Sequence, residues 1–82
     1  MTPDEINLAL SAPFDAYDAA PQMSADDWAT RVTAAPTAQV AYGYVWALAP
    51  AMRAALADLL HVDTYGMGKA RACRAIVTEA RA

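Results

Sequence analysis

Apolar residues along this chain recur at steps of three and four, and no stretch alternates with the two-residue period of a half-buried strand. The pattern predicts an all-α fold: a small bundle of four to five short helices with a C-terminal helix–loop–helix hairpin. Thr2-Pro3-Asp4-Glu5 reads as a helix start, with a threonine cap, a proline in the first turn and a glutamate three residues after the cap. Ile6 and Leu10 share one face of that helix. Pro13 then interrupts, and Phe14 and Tyr17 predict a short turn of helix ending before Pro21. Ser24 caps the next helix, and Asp26 and Asp27 favour the positive end of its dipole. Its buried face is Ala25, Trp28, Ala29 and Val32, and it stops before Pro36.

From Thr37 a longer helical segment, AQVAYGYVWALAP, leads to Pro50, which either kinks it or opens a new helix as the first residue. Val45, Leu48, Met52, Leu56 and Leu59 step by 3, 4, 4 and 3. This stripe crosses the proline and predicts two nearly collinear or moderately kinked helices. Tyr42, Trp46 and Ala49 form a second stripe, so the segment is apolar nearly all round. Either it is the central buried helix, or its Tyr42/Trp46 side meets a partner protein. The last helix is expected from about Lys69 to Ala80. The single domain thus divides into acidic N-terminal helices over 1–36, a central apolar helix or kinked pair over 37–61, and a hairpin with a basic helix over 62–82.

Composition adds an expectation about assembly. Hydrophobic residues make up 57% of the 82 and charged ones 18%. Much of the apolar share is alanine, which buries little area per residue, so a chain this short is expected to complete its burial as a homo-oligomer. The single Cys73 rules out an internal disulfide and fits a reducing compartment. The acidic start, Asp4 and Glu5, lacks a basic and apolar leader, and a cytoplasmic protein is expected. Val32 to Met52 carries no charge, but Pro36, Gln39, Gly43 and Pro50 break it. Its continuous apolar part is about a dozen residues, short of the ~20 a span requires, so no membrane insertion is expected.

The net charge of −3 is unevenly distributed. Residues 1–50 carry six acids against Arg31, a balance of −5, while residues 51–82 carry five bases against three acids, a balance of +2. A polyanion would have to meet the C-terminal half. There the stretch TYGMGKARACR, residues 64–74, concentrates the polar pattern. Gly66 and Gly68 let the chain turn sharply, with Met67 pointing back as a plug between two helices. Unpaired N–H groups at Gly68, Lys69 and Ala70 are placed to receive a phosphate. Ala72, Cys73, Ile76, Val77 and Ala80 make one face of the last helix; Arg71, Arg74, Thr78 and Arg81 make the opposite, solvent-facing one. A purely architectural corner with a solubilising arginine face accounts for the same residues.

The stretch Leu56–Val77, LADLLHVDTYGMGKARACRAIV, resembles the helix–extended loop–helix motif of Rho N-terminal, SAP and LEM-like domains. The resemblance rests on Leu56, Leu59 and Leu60, then Val62, Gly66 and Lys69, then Ala72-Cys73 and Ala75-Ile76-Val77. GMGKARA is also similar to the GhGxxxA hairpin of helix-hairpin-helix DNA-binding motifs, including those of actinobacterial integration-host-factor-like proteins. Thr64 and Tyr65 stand where that second pattern has leucine and proline. The stretch that carries both resemblances covers about a quarter of the chain, and both imply nucleic-acid binding, whereas LEM-like members imply a protein partner.

Catalysis is not expected. His61 is the single histidine and sits at a helix end, it forms no ligand set with Asp63, and Cys73 is expected to face the core. No metal and no cofactor are implied. Two function classes remain. The first is a small non-enzymatic nucleic-acid-binding protein, DNA more than RNA. Gly66, Gly68, Lys69, Arg71 and Arg74 would meet phosphates, and Tyr65 would stack on a base or sugar. The second is a helical adaptor, inhibitor or phage host-interaction protein that self-associates or binds a host protein through Tyr42 and Trp46. Small size and alanine-rich composition would suit a phage or mobile-element protein of a GC-rich bacterium. The hairpin is the one patterned polar feature, which places nucleic acid first.

Overall fold

A computed structural model describes residues 2–19 and 22–82, and among them the chain forms five α-helices and no strand. These are α1 (Pro3–Ala19), α2 (Ala25–Ala34), α3 (Ala38–Ala47), α4 (Pro50–Leu59) and α5 (Lys69–Ala80). The fold is the expected small all-α bundle.

Capping explains most of the boundaries. Thr2 Oγ1 accepts from the Glu5 N–H (3.2 Å) and starts α1. Ser24 and Asp27 exchange side-chain and backbone bonds in a capping box at the head of α2. Thr37 Oγ1 accepts from the Val40 N–H and starts α3. Pro50 is the first residue of α4, where its missing N–H costs nothing. Between α3 and α4 the chain neither continues nor kinks as one helix. Leu48 and Ala49 are both extended, with ψ of 145° and 150°, and this break resets the helical phase. The expected stripe therefore fails beyond Leu56: Val45, Leu48 and Leu56 are buried, Met52 is half-buried, and Leu59 is exposed.

Pro13 does not interrupt α1, which runs through it for 17 residues; the helix stop expected before Pro21 lies outside the described residues. The proline is tolerated because of what it rests on. Its ring and Ala12 sit against Gly43 of α3, so closely that a Cβ on Gly43 would lie 3.2 Å from Pro13 Cδ and 3.1 Å from Ala12 Cβ. Packing of the ring on bare backbone offsets the lost helical hydrogen bond. Close approach also selects alanine: Ala12 and Ala16 are fully buried, while Ile6 and Leu10 are 45% and 67% exposed. The Ile6/Leu10 face is the outer face of α1.

α3 is the middle of the bundle, packed between α1 and α5 and against α2. The core consists of Trp28 and Val32 from α2, Val40, Tyr44 and Val45 from α3, Leu48, Leu56 from α4, and Cys73, Ile76 and Val77 from α5. Among the described residues no helix is long and apolar enough to cross a membrane.

Candidate functional site

The chain leaves α4 through a Schellman turn. The Val62 N–H donates to the Ala57 carbonyl (2.9 Å) and the His61 N–H to that of Asp58 (3.1 Å). His61 fills the left-handed position of that turn with φ 57°, a site that ordinarily selects glycine. His61→Gly is therefore expected to raise stability by about 1 kcal/mol and the melting midpoint by about 4–8 °C. A thermal melt followed by circular dichroism checks it, and a lowered midpoint contradicts it.

Asp63 Oδ1 then accepts from the Tyr65 N–H, and the Met67 N–H closes a turn onto the Thr64 carbonyl (3.0 Å). Gly66 is the third residue of that turn with φ 75°, the position and sign that a type II turn demands of glycine. Gly68 is different. It precedes α5 in extended geometry with φ −68°, and a Cβ there would meet nothing. Gly66 is therefore required by the turn, whereas Gly68 is not conformationally required. α5 starts without a side-chain cap, so its first N–H groups are unpaired within the chain. Met67 is half-buried and lies with Val62 between the end of α4 and α5.

The bases are mostly occupied. Arg31 spreads over the Trp28 and Tyr44 rings, 5.3 and 4.8 Å from their centroids. Arg53 donates to the Leu48 carbonyl (2.8 Å) at the end of α3. Arg81, expected on the solvent face, is half-buried instead and donates to the carbonyls of Val32, Thr33 and Ala35 at the end of α2. A cation at the negative end of a helix dipole explains its turn inward. Lys69 lies over the Trp46 ring, 4.3 Å from its centroid. Arg71 and Arg74 remain exposed on the outer face of α5. Arg81→Met should cost about 1–2 kcal/mol by urea denaturation, and Arg74→Met close to nothing. Equal effects would contradict this difference.

Arg71 and Arg74 border a groove with His61, Val62 and Met67. Tyr65, 95% exposed at the tip of the turn, borders an adjoining groove that shares His61 and Val62 and also carries Asp58 and Asp63. Cys73 is fully buried as expected, and burial pushes its thiol pKa up against the pull of Arg53 and Lys69.

A second surface is better assembled. Tyr42 and Trp46 stack at 5.8 Å with an interplanar angle of 23°; Tyr42 is half-buried and Trp46 38% exposed. They lie on the open edge of α3 with Gln39. Ala9, Leu10 and Pro13 of α1 form a groove against this edge on one side, and Arg74, Val77 and Thr78 of α5 form one on the other. On α1, Ile6, Leu10, Phe14 and Tyr17 step by 4, 4 and 3 and are 45%, 67%, 73% and 74% exposed. At about 100° per residue they form one outward ridge, with the exposed Asp4, Asp15 and Asp18 on the flank away from α3. Reading Pro13 as a break hid this ridge, because its four members fall on both sides of the proline. No family model, curated protein or solved structure matches the chain.

Proposed function

We infer that this chain is a non-enzymatic protein–protein interaction module that docks its partner on the α1–α3 surface. The observation that carries the reading is the exposed ridge Ile6, Leu10, Phe14 and Tyr17 running beside the stacked Tyr42 and Trp46. A contiguous apolar surface of this kind on a small domain is the usual mark of a partner site. The Lys69 ammonium on Trp46 and the exposed Gln39 and Arg74 beside Tyr42 give it the polar rim of a protein interface. A photo-crosslinking residue at position 14 tests it. Discrete protein adducts are expected from position 14 and none from the exposed position 22; only unmodified chain at position 14 overturns the reading.

A second reading is weak nucleic-acid binding, favoured by the uncapped start of α5 next to exposed Arg71 and Arg74. The long connection from Leu60 to Gly68 suits an extended-loop motif better than a tight hairpin. Two free guanidinium groups support about two phosphate contacts, so log affinity would fall with log salt at a slope of about −2. A titration with duplex DNA at two salt concentrations, repeated with Arg71→Gln/Arg74→Gln, separates the two readings. Binding that keeps its strength and salt slope in the double variant would remove the α5 surface as its cause.

A further inference from the structure

We propose that the groove between the end of α4 and α5 holds a single phosphate monoester group carried on an apolar stem. Arg74 stands between this groove and the one beside Tyr42, so the site needs no part of the α1–α3 docking surface. Other bases of the chain are held by their own neighbours: Arg31 by aromatic rings, Arg53 and Arg81 by helix-end carbonyls, Lys69 by Trp46. Arg71 and Arg74 are exposed about one turn apart on α5, and both border the groove. His61 borders it from the end of α4. That position is left-handed, with φ 57°, and glycine would serve the turn better. The imidazole is what histidine adds there, and a residue standing against the local backbone preference points to a role. Two guanidinium groups and a ring N–H offer donors to the three oxygens of a phosphate monoester, whereas a carboxylate presents two.

Acidic neighbours limit the site to one such group. Glu79 lines the same groove a little over one turn beyond Arg74. On the other side of His61 and Val62, Asp58 and Asp63 line the adjoining groove. A nucleic-acid strand brings a phosphate about every 3.4 Å of rise, so one lying along the groove would set its next phosphates against these carboxylates. Like-charge repulsion opposes that, while one isolated dianion between them is accommodated. Between the charged residues lie Val62, Met67 and Ala75, all half-buried. Their apolar surface gains by being covered, which favours an ester with an apolar stem over free phosphate.

Titration of the full chain with phenyl phosphate, followed through its amide resonances, is the test. Saturable binding is expected with a Kd of roughly 1 mM, the level that two or three charge-assisted hydrogen bonds support, with shifts at residues 61, 71, 74 and 75. Arg71→Gln/Arg74→Gln should weaken it about tenfold or more while circular dichroism stays unchanged. His61→Gly should weaken it about threefold although the fold gains stability, a pairing that a purely structural role would not produce. Glu79→Gln, which removes a like charge, should strengthen it about twofold. No saturation, or unchanged affinity in the arginine or histidine variant, overturns the proposal. Inorganic phosphate bound as tightly as phenyl phosphate would mean an adventitious ion only. Duplex DNA that binds more tightly than the ester and shifts the same amides would overturn the single-group site in favour of nucleic acid. A neutral peptide carrying one phosphotyrosine identifies the source: tighter binding than phenyl phosphate assigns the group to a phosphorylated protein, and equal binding to a small ester.

Discussion

Trp28→Ala is expected to cost about 3–5 kcal/mol, the largest loss from any single truncation in this chain. Native stability for a chain of this length is on the order of 4–12 kcal/mol, so the variant should be largely unfolded under mild denaturant. Trp28 is the largest fully buried side chain, set in α2 where that helix meets α3, α4 and α5. Its ring lies 6.0 Å from that of Tyr44, and Arg31 covers both. Truncation would open a cavity and leave the Arg31 guanidinium with the Tyr44 ring alone. The indole also carries a cost of its own, because its Nε1–H is buried without an acceptor. Leaving such a donor unpaired costs about 1–3 kcal/mol, which Trp28→Phe removes while losing only part of the ring. Phenylalanine should therefore cost less than half as much as alanine. Urea denaturation followed by circular dichroism measures both, and equal losses would show that the N–H contributes nothing.

Trp28 was recognisable from sequence because everything that places it is local. Ser24 and Asp27 start its helix, and Val32 repeats its side one turn later. The limits of α5 and its Cys73/Ile76 face were readable for the same reason, since a glycine stop and a clean apolar period need no distant partner. What escaped was set by residues far apart. Pro13 is accommodated by Gly43, thirty positions on, and Arg81 turns to carbonyls 46 to 49 positions back. Neither pairing leaves a periodic trace. The core face of α1 leaves no mark of size in the sequence, because a close helix contact admits alanine and sends leucine and phenylalanine out.

The same long-range pairings changed the balance between functions. Read along the chain, five bases and two glycines in the C-terminal half looked like a phosphate surface. In the fold, Arg53 and Arg81 close helix ends and Lys69 rests on Trp46. The lysine thereby joins the two surfaces that the sequence kept separate, placing the basic edge of α5 beside the aromatic edge of α3. A cation held on an exposed indole is well placed to meet an acidic group from an incoming chain. This juxtaposition is why charge and apolar area point to one docking face.

Gly43→Leu should detach α1, at a cost of about 2–4 kcal/mol, and with it remove the docking face. α1 packs chiefly on α3, and the contact is made where Ala12 and Pro13 close over Gly43. A Cβ there already lies 3.1 Å from one fixed carbon and 3.2 Å from another, and neither belongs to a flexible side chain end. Alanine brings opposing terms: about 1 kcal/mol gained from helix propensity, and crowding of similar size. Gly43→Ala should thus change stability by less than about 1 kcal/mol. Leucine adds three more carbons for which the contact has no space, and the helices must part. Because the rest of the core lies in α2 to α5, the loss should be local at first. Hydrogen exchange is expected to show α1 amides losing protection while those of α2 and α5 keep most of theirs. Uniform loss across all five helices would mean that α1 is integral to the cooperative core, and that the ridge it carries cannot move independently of the fold.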